Sequence, residues 1–405
     1  MAQGKSGGVS RQPVPRGLAR SGPTLFSYGF RPFFLAAGLW AMLAMGLWIA
    51  ALVTGWTVGG SYGGAAWHSH EMLFGYSSAA LAGFLLTAVP NWTGRLPVAG
   101  LPLAILFAVW CVGRLVLLAP DVLGLPLSLG IEAAFLPLLL AVCAREIVSG
   151  RKWKDLKILA VLSVLALANI GFHISVAGGG DIAMANRVAV SAYVVLVTIM
   201  GGRLIPSFTR NWLVKQKASA LPASYSQFDT VAILSGVLAL GLWVVLPATI
   251  WAAMACGAAA LLHLLRLLRW RGWQTTAEKL VLILHIGYAF VPLGLAALAA
   301  AQLGLVEVAA AVHVLTVGVI GVMTLAIMTR ATRGHTGLPM AASRITSTSY
   351  AALVGAAILR PLAGLWPDAA IELLSAAGAC WILAFALYSL EYGPVLLTRR
   401  RDRTG

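Results

Sequence analysis

Charged residues are scarce in this 405-residue chain, and their scarcity excludes a soluble globular protein. Asp, Glu, Lys and Arg make up 10% of the sequence, whereas a soluble domain carries roughly 25%. Hydrophobic residues make up 60%, and the mean hydropathy is +0.88. The short alternating segments of a transmembrane β-barrel are also lacking, because the apolar residues form unbroken runs of about 20 residues. The pattern predicts an all-α polytopic membrane protein.

Paired cysteines and a basic face are lacking as well. The four cysteines are Cys111, Cys143, Cys256 and Cys380. They lie inside apolar runs without CxxC-type spacing, which argues against a zinc site or a disulfide framework. The net charge is +16, but the basic residues are spread among the loops, so no nucleic-acid partner is expected.

Twelve apolar segments are each long enough to cross about 30 Å of hydrocarbon at about 1.5 Å per residue. They lie near residues 30–55, 67–90, 97–119, 121–147, 156–178, 182–206, 228–248, 249–270, 277–301, 305–330, 346–366 and 368–394. They predict one twelve-helix transmembrane domain over 25–398, between a flexible basic arm (1–24) and a basic tail (399–405). Related strings end helices 2, 6 and 10, so the bundle could consist of three pseudo-repeats of four helices.

The basic residues predict the orientation of the bundle. All but three of the 29 Lys and Arg residues lie in loops and helix ends that the twelve-helix arrangement places on one side. By the positive-inside rule this side is the cytoplasm, and an even number of spans puts both termini there. A multi-pass protein of the inner (cytoplasmic) membrane is the expectation.

Three arginines depart from this rule. They are Arg114, Arg187 and Arg360, and they fall within helices 3, 6 and 11 in the predicted outer half of the bilayer. Each costs about 2.5–3.5 kcal/mol there, so each needs an anionic partner or water. One reading pairs them with the acidic residues Glu132, Asp181 and Glu307. The other has them hold carboxylates of a bound cofactor or substrate.

Glu132 is the acidic residue predicted to lie deepest. It falls 11 residues into helix 4, about 16 Å along the helix and so near the bilayer centre. A carboxylate at that depth must be paired or neutral. An ion pair with Arg114 on the neighbouring helix is favoured over a proton-handling role.

Histidines near the outer side are the candidate metal ligands. His70, His173 and His313 are predicted within about 5–10 Å of the outer surface, with His285 about 10 Å deeper. Neutral imidazole is a common ligand of copper and of haem iron, and three rings at one level could converge. The alternative for each ring is a hydrogen bond between helices. Haem propionates near Arg114, Arg187 or Arg360 would account for the arginines too.

His68 and His70 cannot both face one metal in a regular helix, because residues two apart point in nearly opposite directions. The spacing places Glu71 on the His68 face. His70 therefore suits the apolar face of a haem, whereas His68 suits a polar second site or a supporting contact.

Several motifs resemble the NnrS family of bacterial membrane proteins. They are Gly-Phe-Arg-Pro-Phe-Phe at 29–34, Trp-His-Ser-His-Glu-Met-Leu-Phe-Gly-Tyr at 67–76, Ala-Val-Pro-Asn-Trp-Thr-Gly-Arg at 88–95, the stretch 201–212, and His-Val-Leu-Thr-Val-Gly at 313–318 running on to 328–330. The resemblance spans nearly the whole chain. It implies twelve helices in a bacterial inner membrane, haem b and copper as cofactors, and a role in nitric oxide metabolism or resistance to nitrosative stress.

The arrangement is also similar to the haem–copper oxidase catalytic subunit, whose second and tenth helices carry haem-ligating histidines near the outer side. His70 and His313 are similarly placed. The copper-binding histidines of such oxidases lie on the sixth and seventh helices, and those helices have none here. An oxidase-type dinuclear centre is therefore not expected.

The first functional prediction is a haem- and copper-binding membrane protein that binds nitric oxide or another small gas. Its haem ligands would be His70 and His313, with His173 next, and copper would fall to His173, His285 or His68. If it is an enzyme, it is a haem-dependent oxidoreductase acting on nitric oxide. A quinone or an electron-donor protein is a conceivable partner. The alternative is a proton-coupled transporter of a small anion, with Arg114, Arg187 and Glu132 as its substrate or proton groups.

Overall fold

The computed structural model describes residues 22–399, and these residues form a helical bundle without a β-strand. Its first six long helices are α1 Phe30–Thr54, α2 Gly64–Thr93, α3 Leu101–Leu118, α4 Leu125–Ser149, α5 Leu156–Ala177 and α6 Ala183–Lys215. The other six are α7 Gln227–Val245, α8 Ile250–Leu268, α9 Lys279–Gln302, α10 Val308–Thr336, α11 Arg344–Leu362 and α12 Ala370–Leu397. The prediction of an all-α bundle with twelve long helices is confirmed.

Eleven of these helices are long and apolar enough to cross a membrane, and α11 is the one that does not qualify. Its first six residues, Arg344-Ile-Thr-Ser-Thr-Ser, are mostly polar, and Arg360 lies in its last turn. Only a short apolar stretch remains between them. The predicted basic arm (1–24) and tail (399–405) lie outside the described residues, except for 22–24 and 399.

The first and last helices of the bundle are joined at one end. Arg31, in the first turn of α1, is 1% exposed and its Nη1 donates to the carbonyl oxygens of Val395 (3.1 Å), Leu396 (2.8 Å) and Thr398 (2.9 Å). These carbonyls lie at the C-terminus of α12, where the helix provides no further N–H groups to donate hydrogen bonds to them. A cation there also complements the helix dipole. The start of α1 and the end of α12 therefore lie at the same end of the bundle.

Two central helices are interrupted by π-helix directly after a histidine. In α2, Glu71–Tyr76 is a π-helix that follows His70, and in α10, Val314–Gly321 is a π-helix that follows His313. Such segments add a residue to a turn and often occur at functional sites. Because the extra residue changes the rotation of the helix, it also changes which side chains face the bundle interior.

The related strings that end α2 and α10 have a common local role. Gly94 and Gly337 adopt left-handed backbone conformations (φ +73° and +78°), and their N–H groups cap Pro90 O and Arg333 O. Glycine takes this conformation without a Cβ penalty and is the usual helix terminator. The arrangement of three four-helix units remains a prediction.

Candidate functional site

A buried polar cluster joins α2, α3, α4 and α5 near the end of the bundle opposite the basic loops. Its members are Tyr62, His70, Glu71, Arg114, Glu132, Asn169 and His173. Glu71 and His70 are fully buried, and Glu132 is 1% exposed. Charged side chains buried inside a bundle of apolar helices make this cluster a candidate functional site.

Arg114 holds the two carboxylates of the cluster together. Its Nη1 donates to Glu71 Oε2 at 2.6 Å and its Nη2 donates to Glu132 Oε1. Trp40 Nε1 also donates to Glu71 Oε2, at 2.6 Å. A side chain at Gly75 would place its Cβ 2.5 Å from both Arg114 Nη1 and Glu71 Oε2, so only glycine fits beside this pair. The predicted ion pair between Arg114 and Glu132 is confirmed.

The two histidines of the cluster turn their Nε2 atoms toward the same carboxylate oxygen. His173 Nε2 is 2.6 Å from Glu132 Oε2, and His70 Nε2 is 3.3 Å from it. Their Nδ1 atoms are each 3.2 Å from a partner, Tyr62 Oη for His173 and Glu71 Oε1 for His70. Metal-binding histidines are usually oriented in this way, through the nitrogen that does not bind the metal.

Within residues 22–399, one group of three side chains has the arrangement of a metal site, with ligand atoms within 4.8 Å of one another. It is His70, Glu132 and His173. The cluster holds two carboxylates and one guanidinium, so it has a net negative charge when both histidines are neutral. A cation or a proton on a histidine would balance this charge. The cluster could therefore bind a metal ion.

A second candidate site consists of two adjoining cavities at the same end of the bundle. The first, of about 460 Å³, contains Arg187 in its wall and is named the Arg187 cavity. The second, of about 250 Å³, contains Arg360 and is named the Arg360 cavity. His68 and His313 line both, together with Met45, Val317 and Trp381. The two imidazoles thus lie where the cavities meet.

Each of these histidines retains a ring nitrogen that could bind a ligand. His313 Nδ1 lies 2.7 Å from Ala309 O, its partner one turn back on α10, which leaves Nε2 for another group. His68 Nδ1 is buried and has no hydrogen-bond partner within the described residues. Its ring stacks on Trp48, with 4.5 Å between the centroids. The stacking fixes the orientation of the His68 ring at the cavity wall.

Arg187 and Arg360 are half-buried, and neither forms an ion pair within residues 22–399. The Nε atom of Arg187 is buried without a hydrogen-bond partner there. Asp181, one of the acids predicted to pair with these arginines, instead accepts from Ala183 N at 2.8 Å. Glu307, another of these acids, interacts electrostatically with Arg360 without forming an ion pair with it among the described residues. Each guanidinium group lines a cavity and could contact an anionic group there.

The structure brings some of the predicted ligands together and separates others. The rings of His70 and His173 converge, with 4.8 Å between their centroids, whereas His313 lies with His68 at the cavities. His285 is apart from both sites, with its Nε2 2.8 Å from Thr209 Oγ1 on α6. His68 and His70 lie at different candidate sites, in agreement with the expectation from their spacing that they cannot both face one metal.

Two expectations drawn from regular helical spacing differ from the structure. Glu71 was expected beside His68 but contacts His70, because Arg114 Nη1 and Trp40 Nε1 hold its carboxylate in the polar cluster. Glu132 was expected near the bilayer centre, about 16 Å into its helix. In the structure α4 begins at Leu125, so Glu132 is only about 10 Å from the helix start and is level with His70.

Comparison with known families accounts for nearly the whole chain. The family model described as NnrS protein matches residues 24–400. The chain belongs to the NnrS family. No curated protein matches it.

In this NnrS family member, the paired histidines at 68 and 70 belong to the motif that opens α2. The motif is recognisable in the sequence, but nothing in the sequence shows that Glu132, Asn169 and Tyr62 complete the cluster around His70 and His173. An asparagine and a tyrosine in apolar surroundings carry too weak a signal to be chosen. The intramembrane carboxylates Glu71 and Glu132 were the stronger signal, because an unpaired carboxylate is so costly there.

Proposed function

We propose that this NnrS family member is a haem-binding protein of the bacterial inner membrane that functions in the response to nitric oxide. The observation that carries the proposal is the position of His68 and His313, which together line both the Arg187 and the Arg360 cavity. The basic loops support cytoplasmic termini. The haem site would then lie toward the periplasm.

The donor set fits haem. His68 and His313 would hold the iron, since both rings lie at the junction of two largely apolar cavities and neutral imidazole is a haem ligand. Arg187 and Arg360, one in each cavity, would bind the propionates through charge-assisted hydrogen bonds. This ligand pair replaces the predicted pair of His70 and His313, because His70 is enclosed in the polar cluster.

The surroundings also suit a small neutral gas. A further cavity of about 80 Å³ shares Ser77 and Ile320 with the Arg187 cavity and is otherwise lined almost entirely by apolar side chains. Nitric oxide is apolar enough to enter such a space without a charged path. Haem held by these two imidazoles, one of them displaceable, would supply an iron at which nitric oxide could bind.

The polar cluster would hold the second metal, for which copper is the candidate that the family resemblance implies. His70, Glu132 and His173 supply two imidazoles and one carboxylate. Imidazole suits copper, zinc, iron and nickel. Glu71 and Tyr62 would keep the ring nitrogens of His70 and His173 oriented toward the metal.

Absorption spectroscopy of the purified protein tests the proposed function. Protein from haem-replete cells, in detergent, should have a Soret band that shifts on reduction with dithionite. Anaerobic addition of nitric oxide to the reduced protein should shift the band again. A colourless preparation would overturn haem binding and favour the transporter alternative. A Soret band that does not respond to nitric oxide would support haem binding but would overturn the proposed role in binding nitric oxide.

Metal analysis of cluster variants is expected to separate the two sites. The His173→Ala variant should lose copper, with at least about 100-fold weaker binding because one imidazole ligand is gone, while its haem content stays unchanged. Elemental analysis and the haem spectrum on the same samples measure both. The matched control is His285→Ala, which removes a buried imidazole outside the cluster. This variant should retain both copper and haem. Copper retention in His173→Ala would contradict the assignment.

A further inference from the structure

A large basic cavity opens at the other end of the bundle, where α5 and α7 begin and α6 ends. Its volume is about 1250 Å³, and it is called the basic cavity below. Its charged wall consists of six cationic side chains and one acidic side chain, namely Arg151, Lys152, Lys154, Lys157, Arg203, Arg210 and Asp155. Neither the haem nor the copper proposal uses any of these residues.

Most of this positive charge is not neutralised by the protein. Among residues 22–399, the ion pairs include none that involves Arg151 or the lysines at 152, 154 and 157. Arg203 Nη1 lies 3.4 Å from Asp155 Oδ1, and Arg210 Nη2 donates to the carbonyl oxygen of Pro222 at 2.9 Å. Asp155 thus neutralises at most one of the six cations. The cavity is therefore complementary to an anion with more than one negative oxygen.

The part of the basic cavity that lies deeper along the helices is apolar. Its apolar wall comprises Ile158, Ile199, Ile233, Leu234 and Val237. Leu234 is 60% exposed and Val237 is 42% exposed, so this wall opens toward the bilayer. Trp153 and Tyr225, both mostly exposed, lie at its charged end, where aromatic side chains mark the membrane–water interface.

We infer that the basic cavity binds an anionic glycerophospholipid of the adjoining leaflet. The cations would contact the phosphate headgroup, and the groove along Leu234 and Val237 would hold an acyl chain. Basic pockets between transmembrane helices on the cytoplasmic side recognise anionic headgroups in this way. A free phosphate would leave the apolar wall uncovered, and a zwitterionic lipid would leave the excess positive charge unbalanced.

Native mass spectrometry with titrated lipid tests this inference on the full chain. The unmodified protein should bind phosphatidylglycerol in preference to phosphatidylcholine. In the triple variant Lys152→Gln, Lys154→Gln and Lys157→Gln, the Kd for phosphatidylglycerol should rise at least about tenfold, because each cation near the headgroup contributes attraction. These side chains are exposed, so the variant should fold normally.

The matched control removes three cations from the same end of the bundle but outside the basic cavity. It is Arg271→Gln, Lys279→Gln and Arg344→Gln, and its lipid preference should be unchanged. An equal loss in this control would mean that only the overall charge matters, and would overturn the site. Equal binding of phosphatidylcholine, or displacement of the lipid by glycerol 3-phosphate at matched concentration, would also overturn it.

Discussion

The His68→Ala and His313→Ala variants are each expected to lose nearly all haem, whereas His70→Ala retains it. Both replaced rings lie at the junction of the Arg187 and Arg360 cavities, and His70 is enclosed by Glu71, Asn169 and Glu132. Even supporting residues of a metal site contribute 10–100-fold to affinity, so loss of a ligand should weaken haem binding by at least about 100-fold. Haem per protein, measured as the pyridine haemochrome, gives the result.

Two comparisons separate ligand loss from misfolding. His285→Ala removes a buried imidazole that contacts Thr209 and should keep its full haem content. Imidazole added to His68→Ala should restore part of the Soret band, because a free ring can occupy the space left at the cavity wall. If His70→Ala loses haem and His68→Ala keeps it, then the ligand pair predicted from the sequence is right and the one proposed from the cavities is not.

The Arg114→Met variant is expected to be the most destabilised single variant of the polar cluster. It removes the guanidinium that holds Glu71 and Glu132, and so leaves two buried carboxylates without their cation. Breaking a buried pair in this way costs about 3–5 kcal/mol. Thermal unfolding in detergent can be followed with a thiol-reactive fluorophore, because Cys143 and Cys256 are buried in the folded protein.

A second arginine offers a matched control for this substitution. Arg95 is paired with Glu146, but its side chain is 45% exposed. Exposed pairs contribute at most about 1 kcal/mol, so Arg95→Met should shift the Tm only slightly. Adding Glu71→Gln to Arg114→Met should recover part of the lost stability, since one unpaired charge is removed. Equal Tm shifts in the two single variants would contradict the central role of Arg114.

The helices were predictable because hydrocarbon imposes a simple rule on sequence. A span must be apolar over about 20 residues. Each of the twelve apolar segments overlaps one of the helices α1 to α12, and eleven of these helices qualify as spans. The same rule made Arg114 and Glu132 conspicuous, and the cost of leaving either unpaired was enough to predict their contact. Neither prediction required knowledge of how the helices pack.

The ligand arrangement was less predictable, for two reasons. The carboxylate of Glu71 is held by Arg114 and Trp40, which lie on other helices, so its contacts could not be derived from spacing along α2 alone. The polar cluster also combines side chains from four helices, and Asn169 and Tyr62 acquire their roles only through contact with His70 and His173. Depth estimates depend on helix starts, and α4 starts later than its apolar run.

The contact between Arg31 and the end of α12 has a consequence for biogenesis. The carbonyl of Leu396 is 365 residues away along the chain, so during synthesis the guanidinium has no native acceptors until the last span has emerged from the ribosome. The seam between α1 and α12 can close only then. Completion of the bundle is therefore a late event. In a chain truncated before its final helix, Arg31 would lack its carbonyl acceptors, and proteases that remove misfolded membrane proteins could act on such a chain.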